Sequence, residues 1–359
     1  TDFNGYKKLA FYIDVEADEW CEEIDTSEDI VQDIKLSSQE IVERIKDRGI
    51  VGLGGAAFPT HVKYMVPEDK HVDYIIINAA ECEPYLTSDN RLLLEHTEEI
   101  LIGIEIMKKA VKVDKAKIGI ETNKPQAIAA LKALVSKYPG TEVVPLKTKY
   151  PQGAEKQLIY ALTKREVPSG KLPIEVGCIV NNVGTAFAIY QAVQKNRPLI
   201  DNILTFTGKG VSNNKNLLVR VGTSIQAIID YCGGLPEDTG KVINGGPMMG
   251  KAMMDLSAPT TKTTSSILVM TDKESSRKKT TNCLRCGKCV SACPMGLEPI
   301  QIALLAKQER WEEAEKECAM DCIECGSCLF TCPAGQPLLD IIRVAKSKIG
   351  ALRRARSKK

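Results

Sequence analysis

The sequence predicts a multidomain α/β protein in which a layered α/β domain is followed by a small ββα unit and a helical cysteine-rich module. The chain has 359 residues, which is more than one ordinary domain. Apolar strand-like runs alternate with helical patterns up to about residue 195, and nine of the 13 cysteines lie between Cys283 and Cys332. Alternating strands and helices favour a largely parallel sheet covered by helices.

The overall composition excludes several classes of protein. Apolar residues make up 43% of the chain and charged residues 26%, which is typical of globular proteins. A formal net charge of +2 gives no reason to expect a nucleic-acid partner. The longest uncharged stretch, residues 176–194, contains two Asn and two Gln and is too polar to span a bilayer. Because the chain begins at Thr1, we expect that a natural N-terminus has been removed.

The first part of the chain supplies the signals for the α/β domain. The acidic, irregular residues 1–40 are interpreted as a linker or the remnant of a removed N-terminal domain. Ser37 and Glu40 have the spacing of a capping box and predict a helix that ends at Gly49. A glycine-rich loop follows, and the apolar run from Val72 to Ile77 predicts a buried strand that ends at Asn78.

Further along, local patterns predict the remaining elements and the domain boundaries. We expect a helix over 92–109, a strand over 117–121, a helix over 125–137 and a ββα unit over 203–234. The Thr-, Ser- and Lys-rich segment 259–282 is typical of an exposed linker. The composition of the basic tail is typical of a solvated end. The predicted division is linker or remnant 1–40, α/β domain 41–198, ββα domain 199–256, linker 257–282, cysteine module 283–346 and tail 347–359.

Two identical cysteine patterns carry the clearest chemistry. Both runs have the spacing C-x2-C-x2-C-x3-C-P: Cys283, Cys286, Cys289, Cys293, and Cys322, Cys325, Cys328, Cys332. In this pattern three cysteines bind one [4Fe–4S] cluster and the fourth binds the neighbouring cluster. We therefore expect one cluster on Cys283, Cys286, Cys289 and Cys332, and the other on Cys322, Cys325, Cys328 and Cys293. Four-cysteine zinc sites are the alternative, but they do not require this doubled pattern.

The segment between the two cysteine runs and the cysteines outside them can also be interpreted from the sequence. Residues 297–320 have apolar side chains at helical spacing, which predicts an α-helical two-cluster ferredoxin module. The five cysteines outside the two runs are expected to be buried thiols, because free cysteine is among the most buried residue types. They are Cys21, Cys82, Cys178, Cys232 and Cys318.

Clusters carry single electrons, whereas a nicotinamide transfers a hydride, so a flavin is the expected intermediary. Gly52-x-Gly54-x-x-Ala57 fits the letters of the dinucleotide fingerprint. Its context does not fit, since a helix precedes the loop where that fingerprint needs a strand. What the loop supports is a backbone that comes close to a phosphate or ring at positions where only glycine fits.

Several long segments resemble the RnfC family, the NADH-side subunits of Rnf ion-translocating ferredoxin:NAD oxidoreductases. The resemblance covers about residues 40–345 and includes the paired cysteine runs. Its motifs are GIVGLGGAAFPT (49–60), INAAECEPYLTSD (77–89), YPQGAEKQL (150–158), VNNVGT (180–185) and GGPMMG (245–250). RnfC is in turn similar to the NADH-binding FMN subunit of respiratory complex I, and the ββα unit resembles the β-grasp SLBB domain of these families.

The resemblance implies a Rossmann-like FMN/NADH-binding domain and identifies its site residues. Gly52, Gly54, Gly55 and Lys63 match the loop that wraps the flavin. The other implied positions are Asn78, Glu81, Glu83, Tyr150, Gly153, Glu155, Asn181, Asn182 and Thr185. Leu53 and Ala154 depart from the complex I pattern, which has an arginine and a glutamate at these positions. The two departures weaken the match for NADH contacts more than the match for FMN contacts.

The implied function is an electron-input subunit that passes electrons between NAD(H), FMN and two [4Fe–4S] clusters. No general acid or base is expected, because hydride transfer needs none. The membrane and iron–sulfur subunits of the Rnf complex are the expected partners, with ferredoxin an indirect one, and the expected location is peripheral, on the cytoplasmic face of the membrane. The alternatives are a soluble corrinoid reductase of the PduS type and a non-enzymatic iron–sulfur adaptor.

Overall fold

The computed structural model describes residues 2, 5–7, 9–16 and 19–357. The chain divides into two compact units. The first comprises residues 1–167, 172–246 and 250–272, and the second comprises residues 168–171, 247–249 and 273–359. Within the described part of the chain, no helix combines the length and apolarity needed to cross a membrane.

The first unit begins with a layered α/β domain. Its elements are α1 (Ser38–Asp47), α2 (Thr60–Tyr64), β1 (Tyr74–Ala79), α3 (Ser88–Glu95), α4 (Thr97–Val111), β2 (Ala116–Glu121), α5 (Pro125–Leu134), β3 (Thr141–Leu146), α6 (Glu155–Thr163), β4 (Cys178–Asn182) and α7 (Val183–Gln194). Short 3-10 turns cover Val135–Lys137 and Pro173–Val176. The four strands form a parallel sheet in the order β3-β2-β1-β4.

The central strand shows why the sheet is parallel and covered on both faces. Ile75 and Ile77 pack into the core with α4 and α7, whereas Ile76 faces the opposite way, among side chains of α6. All three are fully buried. A strand buried on both faces is apolar at consecutive positions, as the sequence indicated.

Two helix predictions have different outcomes. The capping box of α1 is confirmed, since the Ser37 N–H donates to Glu40 Oε2 over 2.7 Å and the Glu40 N–H donates to Ser37 Oγ over 3.4 Å. The single helix expected over 92–109 is wrong. The chain forms α3 from Ser88 and then α4 from Thr97, with a break at His96, where φ is −128°.

The acidic segment before α1 contains no helix or strand among its described residues. Its second half nevertheless packs on α7. Asp25 Oδ2 accepts from Lys195 Nζ over 2.6 Å, and the Val31 N–H donates to the Tyr190 hydroxyl over 3.0 Å. The centroid of the Trp20 ring lies 4.6 Å from the guanidinium of Arg197 and 4.7 Å from that of Arg220. This half of the segment is therefore part of the first unit.

A second sheet follows in the same unit. Its elements are β5 (Asp201–Thr207), β6 (Lys215–Arg220), α8 (Ile225–Tyr231), β7 (Thr239–Asn244), β8 (Lys251–Ala252) and β9 (Ser266–Thr271). The strand order is β6-β5-β9-β7-β8, with β5 and β9 parallel and the other pairs antiparallel. Phe206 and Ile229 are fully buried in the core between this sheet and α8.

The position of β9 corrects the linker predicted over 257–282. Residues 266–271 are the middle strand of the second sheet, with Ile267 and Leu268 almost completely buried. The polar composition around this short apolar run suggested a loop. Pairing with β5 and β7 on both sides makes it a strand.

The second unit holds the cysteine module. A short helix, α9 (Asp272–Ser275), leads into it, followed by α10 (Lys288–Ser291), α11 (Pro299–Lys307), α12 (Trp311–Lys316), α13 (Ser327–Phe330) and α14 (Leu338–Arg356), with a 3-10 turn at Ala319–Asp321. Ile302, Ile342 and Ile349 form its core with Ala314 and Ala345. The helical prediction between the two cysteine runs is confirmed, and with the two sheets it confirms the multidomain α/β fold class.

Two further expectations hold only in part. The basic tail is exposed from Arg353 to Ser357, as expected of a solvated end, but it is helical as far as Arg356, because α14 continues through it. Ile349 is buried there, and Arg353 and Arg356 bind Glu315 at 2.5 and 2.8 Å. Lys358 and Lys359 lie outside the described residues. Of the five remaining cysteines, Cys178 and Cys232 are buried as expected, whereas Cys21 and Cys318 are exposed and Cys82 is half-buried.

Candidate functional site

The strand order of the parallel sheet defines a crevice. From β1 the chain moves outward to β2 and β3 and then returns to place β4 on the other side of β1. The carboxyl ends of β1 and β4 therefore meet where the direction of strand succession reverses, which is where α/β sheets bind ligands. Asn78 and Asn182 lie side by side in register at this point.

The glycine-rich loop is fixed against the β4–α7 turn. The Gly52 N–H donates to the Phe58 carbonyl over 2.9 Å and closes the loop on itself. The Leu53 N–H donates to Thr185 Oγ1 over 3.1 Å, and this bond is buried. Thr185 thus has the role of holding the loop over the first turn of α7.

Among the glycines of this loop, Gly54 is the one that the surrounding protein requires for space. None of Gly52, Gly54 and Gly55 has a φ in the left-handed region, so the backbone conformation alone does not require glycine there. A Cβ added to Gly54 would lie 2.9 Å from the Asn182 Cβ, which is closer than carbon atoms approach. A Cβ added to Gly55 would meet no protein atom within 4 Å. The loop therefore touches Asn182 on one side and faces open space on the other.

Lys63 is the cation of this region. Its Nζ donates to the Val180 carbonyl over 2.7 Å. Burial lowers the pKa of Lys63, and the nearby Glu155 carboxylate opposes that shift. Burial raises the pKa of Glu155, which is the first residue of α6, while Lys63 and Lys156 oppose the rise. An ammonium and a carboxylate are thus both partly desolvated beside the strand ends.

Asn78 anchors the loop that precedes α6. Its Nδ2 donates to the Gly153 carbonyl over 2.8 Å, and the Gly153 N–H donates to Cys82 Sγ over 3.3 Å. Tyr150 lies at the start of this loop, is half-buried and precedes Pro151 through a cis peptide bond. The end of β1 and the segment 150–155 therefore form one wall of the crevice.

The two glutamates that follow β1 face different surroundings. Glu81 accepts from the N–H groups of Asp89 and Asn90, at 2.7 and 3.2 Å, and so caps the amino end of α3. Each of its oxygens accepts from one backbone N–H, so Glu81 ties the end of β1 to α3. Glu83 lies against the backbone of Gly246, where an added Cβ would lie 2.3 Å from Glu83 Oε2.

The consecutive asparagines of β4 also face different ways. Asn182 accepts from the Gly184 N–H over 2.7 Å, which caps α7, and its Nδ2 donates to Asp89 Oδ2 over 2.7 Å. Asn181 points into the core, where its Nδ2 donates to the Tyr64 hydroxyl over 3.1 Å. Its buried Oδ1 has no hydrogen-bond partner among the described residues. Only Asn182 lies with the glycine loop.

The structure adds three charged residues that sequence reasoning did not assign to the site: Asp89, Glu121 and Lys124. Lys124 Nζ donates to the Ala80 carbonyl over 2.8 Å and lies 3.7 Å from Glu121 Oε2. Burial raises the pKa of Asp89 to about 6, although the Asn182 hydrogen bond and Lys124 oppose it. Burial, followed by the Asp89 charge, raises the pKa of Glu81 to about 8. In the sequence, Glu121 could have been assigned to the site because it is a charged residue at the end of an apolar strand.

The two cysteine runs share one backbone geometry. The residue two positions after the first cysteine has a positive φ in both runs, 53° at Arg285 and 56° at Glu324. In each run this residue donates its N–H to the first sulfur over 3.4 Å. Such N–H···S contacts place donors beside the sulfurs, which is a feature that tunes iron–sulfur clusters. The repeat in sequence is therefore also a repeat in conformation.

Each fourth cysteine lies near the opposite run. Burial raises the pKa of Cys328 to about 12, and the charges of Cys322, Cys325 and Cys293 add to the rise. Burial also raises the pKa of Cys289, with a contribution from Cys332. Thiols of the two runs are therefore near one another, and the assignment of each fourth cysteine to the opposite cluster stays a prediction from the spacing. No three Cys, His, Asp or Glu side chains of the described residues are arranged around a single metal-ion position.

Three protein-family models match successive parts of the chain. Residues 45–191 match the Nuo51 FMN-binding domain, residues 203–252 match the SLBB domain and residues 275–333 match the 4Fe-4S dicluster domain. The protein is therefore a flavin iron–sulfur protein, with FMN and two [4Fe–4S] clusters as its cofactors.

Relatives identify the family. The chain is 48% identical over 302 residues to the RnfC-type component of the proton-translocating ferredoxin:NAD(+) oxidoreductase complex of Clostridium ljungdahlii. It is 47% identical over 319 residues to the Na(+)-translocating counterpart of Acetobacterium woodii, and 40% identical over 298 residues to the counterpart in the ion-translocating oxidoreductase complex of Serratia proteamaculans. The chain belongs to the RnfC family, and the resemblance seen in the sequence is confirmed.

The matches cover most of this chain but less of the relatives. They span 84%, 89% and 83% of the chain, and 65%, 72% and 42% of the three relatives in the same order. Among solved structures, a chain of an NAD+-reducing [NiFe]-hydrogenase is similar over 87% of this chain and 63% of its own length, with a TM-score of 0.61. At 19% sequence identity this similarity concerns the fold alone.

Proposed function

We propose that the chain is the electron-input subunit of a membrane-bound, ion-translocating NADH/ferredoxin oxidoreductase. One observation carries this proposal: a crevice between β1 and β4, floored by a glycine loop with open space beside it, occurs in the same chain as two identical cluster motifs. When bound, FMN would supply the conversion between a hydride and single electrons.

The residues at the crevice fit a flavin. The exposed backbone around Gly55 leaves room for a ring or phosphate, and the loop lies at the amino end of α7, where a helix favours negative charge. Lys63 adds a positive charge near the same strand end. We assign flavin contacts to Gly52, Gly54, Gly55, Lys63, Asn78, Gly153 and Asn182.

The other expected residues have supporting or rim positions in this proposal. Thr185 holds the glycine loop, Glu81 caps α3, and Asn181 secures β4 against α2. Glu83, Tyr150 and Glu155 form the rim on which we place the nicotinamide. Their carboxylates and phenol would orient the nucleotide by hydrogen bonds and would not move a proton.

The cysteines divide in this proposal as the spacing predicts. Cys283, Cys286, Cys289 and Cys332 hold one cluster, and Cys322, Cys325, Cys328 and Cys293 hold the other. Ion translocation would take place in partner membrane subunits, with which this chain associates peripherally on the cytoplasmic face, and exchange with ferredoxin would be indirect.

The test is an anaerobic absorption spectrum of the reconstituted protein before and after NADH. The proposal predicts that bound flavin bleaches and that the clusters then become reduced. A protein that assembles both clusters but retains no FMN would favour the adaptor alternative. Reduction of a cobalamin at a rate comparable to that of NADH oxidation would favour the corrinoid reductase.

A further inference from the structure

The two cluster sites differ in how far they are covered by protein. Cys283 and Cys286 are exposed and Cys289 is half-buried, whereas Cys325 and Cys328 are each only 8% exposed. The surrounding backbone has the same conformation in both runs. Because single-electron transfer weakens steeply with the thickness of intervening protein, the site of the first run is the one suited to exchange with another molecule.

Charge separates the two sites in the same direction. Arg285 and Lys288 stand within the first run and are exposed, and neither forms an ion pair with any described residue. The residue equivalent to Arg285 in the second run is Glu324, whose carboxylate binds Arg343 at 2.9 Å and Lys346 at 2.7 Å. At the second site the two cations are thus paired with a carboxylate, whereas Arg285 and Lys288 at the first site have no carboxylate partner among the described residues.

The segment before the first run adds to this charge. The Thr281 N–H donates to the Ala334 carbonyl over 3.0 Å, and Thr280 Oγ1 donates to the Gly335 carbonyl over 3.1 Å. The segment is therefore anchored just after Cys332, the fourth cysteine assigned to the same cluster. Lys278 and Lys279 lie on it, are exposed and have no ion-pair partner among the described residues.

Apolar side chains lie among these cations. Leu284 is 66% exposed between Cys283 and Arg285, and Val290 is 36% exposed at the end of the run. An apolar centre with a charged rim is the usual composition of a protein–protein interface. We name the surface formed by Lys278, Lys279, Leu284, Arg285, Lys288 and Val290 the basic cluster face.

We propose that the basic cluster face is the docking surface for an electron-transfer protein or subunit that presents an acidic face around its own redox centre. The inference rests on the proposed function. One electron leaves the cluster of the first run, which is oxidised, and the same electron reduces the partner's centre; the reverse direction is equally balanced, and no proton or bond is involved. Opposite charges speed encounter and fix its orientation.

The experiment compares two one-electron acceptors of opposite charge, the acidic protein plastocyanin and the basic protein cytochrome c. The protein with both clusters assembled is reduced with dithionite, freed of excess reductant and mixed with each acceptor in a stopped-flow instrument. The test variant is Lys278→Glu/Lys279→Glu, which leaves the cysteine run unchanged. The matched control is Lys348→Glu/Arg354→Glu, which makes the same change in charge at exposed positions of α14.

The wild-type protein should react with plastocyanin at a rate that falls with salt, because screening shortens the reach of charge to about 8 Å at physiological ionic strength. At low salt the test variant should reduce plastocyanin about tenfold more slowly than the wild-type protein does, and it should reduce cytochrome c faster. The control should match the wild-type protein. Iron content verifies that the clusters are intact in every sample.

Binding provides a readout independent of electron transfer. Cadmium-substituted plastocyanin, which accepts no electron, should bind the wild-type and control proteins in calorimetric titrations at low salt and should not bind the test variant. Equal rates and equal binding for test and control variants would overturn the proposal. Dithionite reduces the clusters without flavin or NADH. Failure of the protein to retain FMN would therefore refute the proposed function, but it would not affect the acceptor rates or the plastocyanin binding measured here.

Discussion

The flavin crevice and the cysteine module differ in how their residues are brought together. All eight expected cluster ligands lie within two short runs, and each run has the same local backbone conformation. The crevice instead collects residues from Gly52 to Thr185, placed by the ends of β1 and β4 and by the loops beside them. A local motif fixes its ligands by spacing, whereas a sheet edge fixes them by topology. Changes in one region should therefore leave the other region's cofactor in place.

The largest expected effect is the loss of one cluster. Cys293→Ser should reduce iron from about eight to about four per chain, because each [4Fe–4S] cluster holds four. The cluster lost should be that of Cys322, Cys325 and Cys328, because the spacing assigns Cys293 to that cluster. Iron analysis and electron paramagnetic resonance measure this, with FMN content unchanged. The exposed Cys318→Ser variant is the control and should keep all its iron. Loss of the cluster on Cys283, Cys286 and Cys289 instead would contradict the crossed ligand sets.

A second effect should be confined to the flavin. Gly55→Val adds a side chain where no protein atom lies within 4 Å, so the stability of the apoprotein should not change. If FMN occupies that space, its affinity should fall by roughly five- to a hundredfold, the equivalent of about 1–3 kcal/mol of overpacking. Gly54→Val should lower both affinity and stability, because its Cβ would lie 2.9 Å from Asn182. Fluorescence titration with FMN and thermal denaturation separate the two. Unchanged affinity in Gly55→Val would place the flavin elsewhere.

The two regions also differ in how much of each could be predicted from the sequence. The cysteine ligands, the capped helix α1 and the apolar strand β1 could be read locally, because spacing, caps and burial on both faces leave local patterns. The interaction of Asp89 with Asn182 joins residues 93 positions apart, and the turn of Glu81 toward α3 depends on the path of the loop between them. Strand β9 was missed because its neighbours β5 and β7 are distant in sequence. For the crevice, sequence reasoning alone supplied the glycine loop, and the family resemblance supplied the other residues.

The third prediction concerns pH. The raised pKa values of Asp89 and Glu81, about 6 and about 8, mean that the folded state binds their protons more tightly than the unfolded chain does. Their contribution to stability is full below the unfolded pKa values, about 4, and is lost as the pH rises through about 8. The flavin domain should therefore lose stability across this window, and Glu81→Gln/Asp89→Asn should flatten the dependence.

Thermal denaturation of the apoprotein between pH 5 and about 9 measures this effect, and the window follows from those two pKa values. The exposed Asp69→Asn variant is the matched control and should retain the wild-type dependence. An equally steep loss of stability in the double variant and the wild-type protein would show that another group is responsible.

The smallest effect is expected at the rim. Glu83→Gln and Glu155→Gln should raise the NADH concentration needed to bleach the flavin by up to about tenfold, the equivalent of one hydrogen bond of about 0.5–1.5 kcal/mol. Reduction of the clusters by dithionite should be unchanged, because it bypasses the nucleotide. Stopped-flow titration with NADH measures the shift, and Glu142→Gln, on an exposed side chain of β3, is the control. Wild-type behaviour in both rim variants would leave these glutamates with a structural role.

The most direct test of the central claim is a titration of the anaerobic, fully reconstituted protein with NADH, followed by absorption and electron paramagnetic resonance. If one chain links a flavin crevice to two clusters, NADH should bleach the FMN and the cluster signals should then appear. In the Gly55→Val variant, dithionite should still produce the full cluster signals, while NADH should produce signals that are smaller in proportion to the FMN lost. Cluster reduction by NADH in protein without FMN, or retained FMN that NADH does not bleach, would contradict the account.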